Sequence, residues 1–269
     1  RRIENLPPYV LSIINGLKIE ARRAGADVVD LGFGNPDIPS PQIAVDKLTE
    51  AARNPRNHRY SLSRGLPKLR EAIAGYYKHK WDVDLDPELE ITNTIGSKEG
   101  FSHLMWVLLD RGDAAIVPSP SYPIHIYGPL FAGADLRQVP MKFLADPDQR
   151  QHFADDFMDS LTTAYDVGWP KPRVLVISFP HNPTGATVDL AFMQRVVDFC
   201  RERGMIVVHD FAYADVGFDG HQPPSILQAD GAKDCAVELY SMTKSFQMAG
   251  WRSAFLLGNA EVVQALVKL

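Results

Sequence analysis

Apolar runs of strand length alternate along this chain with longer segments in which apolar positions recur every three or four residues. The short runs predict strands at Val28–Leu31, Glu90–Thr94, Ala114–Val117, Asp135–Val139, Val174–Ser178, Ile206–His209, Ala236–Tyr240 and Ala254–Leu257. The periodic segments predict helices at Ile43–Arg53, Leu66–Lys80, Lys98–Leu109, Phe153–Tyr165, Leu190–Arg203 and from Ala260 onward. Strands joined by helices of this length are typical of βαβ crossovers. We therefore predict an α/β fold with a mostly parallel sheet sandwiched between helices.

Residues 1–27 are predicted to form an N-terminal arm or part of a small domain, separate from one large domain at residues 28–269. Within the arm, Val10 to Arg23 has the pattern of one amphipathic helix. The last predicted helix is still amphipathic where the sequence stops at Leu269, with no terminating glycine. We therefore expect this chain to be part of a longer protein.

Composition narrows the functional classes. A chain of 269 residues with 45% hydrophobic residues is long enough for a large core. The net charge of −5 argues against a nucleic-acid-binding or membrane-surface protein. No apolar run approaches the roughly 18 residues of a membrane span, and the N-terminus lacks the apolar core of a signal peptide. Two cysteines in apolar surroundings predict buried free thiols and a cytoplasmic location.

The segment around Lys244 contains the groups of a covalent cofactor site. Lys244 follows a predicted strand, with Ser241 three residues before it and Arg252 eight residues after it. A lysine amine can form a Schiff base with an aldehyde cofactor, whose phosphate a hydroxyl and a guanidinium can bind. A lone lysine after a strand is more often a solvated surface charge, so this hypothesis depends on further motifs.

A predicted strand ends at Thr94, and Gly96-Ser97-Lys98 begins the next helix. Ligands of parallel sheets bind beyond the carboxyl ends of strands, and the N–H groups of Ser97 and Lys98 would suit a phosphate there. The alternative is a plain helix cap with Ser97 as N-cap. The glycine spacing matches neither a Walker A loop nor a dinucleotide fingerprint.

Two proline-flanked turns follow other predicted strands. In the first turn, Tyr122 could lie flat against a planar cofactor, or it could be an aromatic packed on the core. In the second, Asn182 lies between Pro180 and Pro183 and could donate to a phenolate oxygen or a carboxylate. The alternative for Asn182 is a turn residue that makes an Asx hydrogen bond.

Asp210 lies at the end of an apolar strand, where a carboxylate is costly unless a positive group pairs with it. A protonated pyridine nitrogen would supply that charge, and Tyr213 could reach the phenolic oxygen of the same ring. The alternative for Asp210 is a helix N-cap.

Together these strings resemble the fold-type-I pyridoxal-phosphate enzymes, specifically the class I/II aminotransferases. The resemblance extends from about Asp30 to the end of the chain, and its order and gaps also match. It is carried by Asn182-Pro183-Thr184-Gly185, Asp210-x-x-Tyr213, Ser241-x-x-Lys244 and Arg252. Residues 94–100 and 118–128 look closest to bacterial alanine (glutamate–pyruvate) aminotransferases, with diaminopimelate aminotransferases as near neighbours.

The resemblance implies that the large domain of a pyridoxal 5'-phosphate (PLP) enzyme is present. Lys244 would bind the cofactor covalently and later transfer a proton as a free amine. Asp210 would keep the pyridine nitrogen protonated, and Tyr213 and Asn182 would hydrogen-bond the phenolic oxygen. Tyr122 would stack on the ring. The expected substrates are an amino acid and a 2-oxo acid, with alanine/pyruvate and glutamate/2-oxoglutarate as the pairs.

The resemblance also implies a phosphate site formed by Ser97, Lys98, Ser241 and Arg252. Tyr60 matches a tyrosine that reaches the phosphate in a neighbouring subunit, which implies a homodimer with a shared active site. Gly34 matches a loop that lies against the substrate, which Asn182 would also contact.

The histidines suggest a supporting role and no metal site. We predict a hydrogen bond from His125 to Asp210; the alternative is a satisfied core histidine. His209 is expected to point to the opposite side of its strand and pack. No histidine spacing suits a metal ion.

The family's arginine for the substrate α-carboxylate belongs to a C-terminal small domain, and this chain ends before that arginine. The substrate-carboxylate group is therefore not assigned. Two alternative functions stay open: a PLP-dependent lyase or decarboxylase on the same fold, and a PLP-binding regulatory domain.

Overall fold

The computed structural model describes residues 10–32, 34, 36–141 and 152–269, and the chain divides into two compact units, Arg1–Ile38 and Pro39–Leu269. In the first unit, the predicted amphipathic helix is present as α1, Val10–Arg23. The predicted strand Val28–Leu31 is wrong. This run is extended but has no partner strand among the described residues, and Leu31 is 93% exposed. A strand needs a neighbouring backbone for its hydrogen bonds, and periodicity alone does not supply one.

The second unit contains the remaining described elements. Its strands are β1 Ile91–Thr94, β2 Ala114–Ser119, β3 Asp135–Pro140, β4 Val174–Ile177, β5 Ile206–Phe211, β6 Ala236–Ser241 and β7 Ala254–Gly258. Its helices are α2 Gln42–Ala52, α3 Pro67–Trp81, α4 Ser97–Leu108, α5 Pro123–Ala132, α6 Phe153–Asp166, α7 Leu190–Glu202, α8 Ala232–Cys235, α9 Met242–Ser245 and α10 Ala260–Val267. Short 3-10 helices occur at Pro55–His58, Ile226–Gln228 and Ala249–Trp251.

Helix α5 was not predicted, because Pro123 and Pro129 obscure its periodicity. Pro123 lies in the first turn of α5, where the missing N–H removes no helical hydrogen bond. Pro129 lies inside the helix, and the C-cap Gly133 takes the left-handed conformation (φ 93°) that a side chain would disfavour.

The strands form a seven-stranded sheet in the order β1-β7-β6-β5-β4-β2-β3. Strands β3, β2, β4, β5 and β6 are mutually parallel, whereas β7 is antiparallel to both β6 and β1. The predicted α/β fold with a mostly parallel sheet is confirmed. Because the parallel strands share one direction, the carboxyl ends of β1, β2, β4, β5 and β6 lie at the same edge of the sheet, where ligands of such sheets bind.

Hydrophobic clusters cover both faces of the sheet, as a mostly parallel sheet requires. One cluster packs Tyr77 of α3 and Phe192 of α7 against β5 and β6. The other packs Phe101 of α4 and Val263 of α10 against the opposite face. The free thiols of Cys200 and Cys235 are buried, as predicted. Among the residues that the structure describes, no helix combines the length and apolarity needed to cross a bilayer.

Successive residues of β5 therefore face different layers. Val207 and Phe211 belong to the cluster beside α3 and α7, whereas Val208 belongs to the cluster beside α4 and α10. This alternation places His209 and Asp210, both of them buried, on opposite faces of the sheet.

Candidate active site

Strand β5 brings Asp210 to the carboxyl edge of the sheet, on the face covered by α4 and α5. Its carboxylate oxygen Oδ2 lies 2.9 Å from His125 Nε2, and Ser121 Oγ lies 3.1 Å from His125 Nδ1. Both Asp210 and His125 are buried. The hydrogen bond expected between them is present, and it fixes the orientation of the Asp210 carboxylate.

The second carboxylate oxygen of Asp210 has no hydrogen-bond partner among the described residues, although it is buried. Leaving a buried acceptor unsatisfied costs about 1–3 kcal/mol. A planar ring with a protonated nitrogen would supply the missing donor. The site therefore fits a pyridinium group on an observation independent of motif matching.

Asn182 and Tyr213 meet at the same edge, although they belong to loops after different strands. The Asn182 amide donates to the Tyr213 hydroxyl across 3.4 Å. Burial and the charge of Asp210 raise the pKa of Tyr213, with the Asn182 hydrogen bond opposing them. Tyr213 thus stays protonated at neutral pH and can donate to an anionic oxygen.

Lys244 lies in α9, a short helix that directly follows β6. Ser241 is its N-cap, and the Ser241 hydroxyl accepts the Thr243 N–H at 3.2 Å. Lys244 is half-buried, and its Nζ lies 5.9 Å from the centre of the Tyr213 ring. Partial desolvation lowers the pKa of Lys244, which increases the fraction of nucleophilic neutral amine at a given pH.

The candidate phosphate-binding groups come from two distant segments. Gly96 has φ 86°, and a Cβ built on it would lie 2.2 Å from Arg252 Nη2. The Arg252 guanidinium therefore lies directly against the turn that begins α4, and no side chain can replace that glycine without displacing it. A positive group beside a helix N-terminus suits a phosphate dianion.

The alternative that made Ser97 an N-cap is wrong. The N-cap of α4 is Gly96, and no side chain caps this helix. Ser97 and Lys98 are instead the first helical residues, because the left-handed turn at Gly96 precedes them. The N–H groups of a helix's first turn have no acceptor within the helix, so this placement is compatible with the phosphate hypothesis.

The structure leaves the roles of three predicted residues open. Tyr122 is half-buried, packs on the core and makes an edge contact with His125 at 5.6 Å, so both interpretations of Tyr122 stand. Tyr60 is fully exposed. Its function in a neighbouring subunit stays a prediction, as does substrate contact by Gly34, which lies in the first unit.

Two polar groups on the opposite face of the sheet were missed as a pair. His209 and Glu238 are both completely buried, and their side chains lie 2.8 Å apart. His209 was expected only to pack. The signal that could have found the pair is a charged residue, Glu238, in the middle of the otherwise buried strand β6.

Comparison with known proteins decides the family. The model of the family described as "Aminotransferase class I and II" matches residues 26–269. The chain belongs to the class I and II aminotransferases. This membership confirms the predicted family and its cofactor, PLP.

The similar proteins are named for different substrates. Glutamate-pyruvate aminotransferase AlaC of Escherichia coli is 47% identical over all of this chain and 63% of its own length. LL-diaminopimelate aminotransferase of Moorella thermoacetica is 40% identical over all of this chain and 66% of its own length. Substrate-bound BacF from Bacillus subtilis superposes with a TM-score of 0.87 at 35% identity, over 99% of this chain and 65% of BacF. The chain thus spans just under two thirds of the relatives that it matches.

Proposed function

We propose that the protein exchanges an amino group between an amino acid and a 2-oxo acid, with alanine/pyruvate and glutamate/2-oxoglutarate as its substrate pairs. The observation that carries the proposal is the buried oxygen of Asp210 that has no hydrogen-bond partner within the described ranges, at the same sheet edge as Lys244. A carboxylate and an amine held together at this edge are the two groups that PLP chemistry requires of a protein.

The residues present would hold PLP at four points. Asp210 would pair with the ring nitrogen, Asn182 and Tyr213 with the phenolic oxygen, and Lys244 Nζ would hold the aldehyde carbon. Ser97, Lys98, Ser241 and Arg252 would bind the phosphate. When bound, PLP supplies an electron-accepting ring that stabilises negative charge at the substrate Cα.

Lys244 would also hold and move the proton in this scheme. Its half-buried position and lowered pKa increase the fraction of neutral amine that can accept a proton. Tyr213 would keep its own proton, because burial raises its pKa. In this scheme Lys244 is the proton acceptor and Tyr213 is the hydrogen-bond donor.

The lowered pKa of Lys244 predicts the pH dependence of cofactor capture. Below its pKa the amine is protonated and cannot attack an aldehyde, so the rate should rise with pH to a midpoint below 10.5, the ordinary lysine value. The measurement is the rate at which visible absorbance develops after PLP is added to cofactor-free protein. A midpoint at or above the ordinary value would contradict the assignment.

The substrate assay distinguishes the proposed reaction from its alternatives. Purified protein is incubated with alanine, with and without 2-oxoglutarate, and pyruvate is measured. An aminotransferase forms pyruvate in proportion to glutamate when the acceptor is present, and without it forms no more than one equivalent of pyruvate per active site. Pyruvate and ammonia formed repeatedly without acceptor would instead indicate a lyase. Because this chain spans 63% of the length of AlaC, the assay uses the protein as encoded in full, and the absence of its turnover with all acceptors would favour a regulatory domain.

The substrate pair needs a direct comparison, because the relatives differ in substrate. Alanine and LL-diaminopimelate should be compared as donors by kcat/KM, with 2-oxoglutarate as acceptor. We expect alanine to be preferred; a preference for the diamino acid would replace the finer proposal and leave the transamination proposal intact.

A homodimer and a cytoplasmic location complete the proposal. The support for the homodimer is Tyr60, a large aromatic that is fully exposed in the part of the chain that the structure describes and suits a neighbouring subunit. Tyr60→Phe should weaken PLP binding in a dimer without changing the oligomeric state measured by light scattering.

A further inference from the structure

Adjacent residues of β5 carry two histidine–carboxylate pairs, one on each face of the sheet. Asp210 and His125 form the pair on the face of α4 and α5. His209 and Glu238 form the other pair, at 2.8 Å, on the face of α3 and α7. The second pair touches none of the groups proposed to hold the cofactor, yet both of its members are completely buried. Burying a charged group is costly unless hydrogen bonds offset the lost hydration, so the partners of this pair indicate which part of the structure it holds in place.

Four donors converge on the Glu238 carboxylate. The hydroxyls of Tyr77 and Ser225 donate to Oε1 at 2.7 and 2.9 Å. The Ile226 N–H and His209 Nδ1 contact Oε2 at 3.0 and 2.8 Å. Burial, reinforced by the Glu238 charge, raises the pKa of Tyr77 well above its ordinary value, so this phenol keeps its proton and donates. The Ile226 N–H can only donate, so Oε2 acts as an acceptor, and His209 Nδ1 is the ring nitrogen placed to donate to it.

The other nitrogen of His209 contacts the segment that leads to Asn182. His209 Nε2 lies 3.2 Å from both the backbone nitrogen and the carbonyl oxygen of Phe179. Strand β4 has ended at Ile177, so the sheet ladder no longer offers Phe179 an acceptor. With Nδ1 donating to Glu238, Nε2 is the acceptor that satisfies the buried Phe179 N–H.

A second contact ties the same segment to β5. The Ser178 hydroxyl donates to the Asp210 carbonyl oxygen at 2.8 Å. Ser178 is therefore hydrogen-bonded to Asp210, and Phe179 is hydrogen-bonded to His209. Asn182 follows three residues after Phe179. The position of the Asn182 amide relative to Tyr213 depends on where this segment is held.

We propose that Glu238 and His209 are positioning residues: Glu238 holds the imidazole as its Nδ1–H tautomer, and the imidazole anchors the Phe179 backbone, which places the Asn182 amide on the Tyr213 hydroxyl. The consequence for cofactor binding rests on the proposed function, whereas the anchoring itself does not.

The first test is the tautomer of His209 in cofactor-free protein. Nitrogen-15 NMR of histidine-labelled protein distinguishes a protonated from an unprotonated ring nitrogen. We expect Nδ1 protonated and Nε2 unprotonated in the folded protein at neutral pH. A protonated Nε2 at neutral pH would overturn the proposal, because it could not accept the Phe179 N–H.

A matched pair of substitutions tests the anchor. The amide of His209→Gln can place an acceptor near the position of Nε2, whereas the shorter His209→Asn reaches only the position of Nδ1. His209→Asn should accelerate hydrogen exchange at the Phe179 amide about 10-fold, and His209→Gln should restore much of the protection. Tyr77→Phe and Ser225→Ala, which remove donors to the other oxygen of Glu238, are the controls and should leave this amide protected.

The outcomes separate positioning from general destabilisation. Faster exchange across the whole sheet in His209→Asn, or equal effects of the two His209 variants on Phe179, would refute the anchor. With PLP bound, only His209→Asn should shift the pH midpoint of the visible absorption toward alkaline values, because Asn182 then no longer donates to the phenolic oxygen. If neither the wild-type protein nor its variants bind PLP, the proposed function fails. The tautomer and hydrogen-exchange results still show whether His209 anchors Phe179.

Discussion

Lys244→Ala is expected to abolish transamination, with a loss in kcat of at least ~1,000-fold. The variant should also lack the visible absorbance of covalently held PLP. Both effects follow from the position of the amine: Lys244 follows β6 at the carboxyl edge of the sheet, beside Tyr213, where partial desolvation favours the neutral form. The fold should survive, because Lys244 is not part of either core cluster.

Chemical labelling gives the sharper measurement. Borohydride reduction of the PLP-loaded protein should attach a phosphopyridoxyl group to the peptide that contains residue 244. Lys80→Ala is the matched control, since Lys80 is also a partly buried lysine whose pKa burial lowers. That variant should keep the label at position 244 and retain turnover within a few-fold. Label on another peptide of the wild-type protein, or turnover in Lys244→Ala, would refute the assignment.

Asp210→Asn should lower kcat at least ~100-fold while preserving the fold. The asparagine amide keeps an acceptor for His125 but has no charge to hold a proton on the pyridine nitrogen. In cofactor-free protein the unfolding free energy should change by less than about 1 kcal/mol, because removal of a buried negative charge offsets the weaker hydrogen bond to His125. PLP should stabilise wild type more than the variant, which thermal unfolding with and without PLP measures.

The comparison with other substitutions isolates the carboxylate. Asp210→Ala should in addition destabilise the cofactor-free protein by about 1–3 kcal/mol, since it leaves His125 Nε2 without its partner. Asp113→Asn is the control, because Asp113 directly precedes β2 at the amino end of the sheet. That variant should have wild-type turnover. Equal stabilisation of wild type and Asp210→Asn by PLP would show that Asp210 does not contact the cofactor.

The strands and helices of the second unit were largely predictable because burial imposes a local period on the chain. A run such as Val174–Ile177 must be apolar throughout to be covered on both faces, and the sequence records this directly. The wrong or missing predictions lie where the structure of a segment depends on contacts outside it or where prolines interrupt its periodicity. Val28–Leu31 has the composition of a strand but no neighbour to pair with, and Pro123–Ala132 forms a helix that its prolines conceal.

The motifs around Asn182, Asp210 and Lys244 identified the chemistry, because each is a short string of functional groups at a strand end. That these strings converge follows from the parallel direction of β4, β5 and β6, which the crossover helices impose. The sequence by itself thus determined the element types, the family and the groups available for PLP.

Apart from the His125–Asp210 hydrogen bond, which the sequence predicted, the tertiary structure decided which groups touch. The guanidinium of Arg252 against Gly96 and the Glu238–His209 pair join residues far apart in sequence. The fold also leaves the buried Oδ1 of Asp210 without a partner among the described residues. Hydrogen bonds act over about 3 Å, and local periodicity contains no information about which distant side chains the fold brings within that distance. The physical reason is that the chain selects these partners through packing of the whole sheet and its two helical layers.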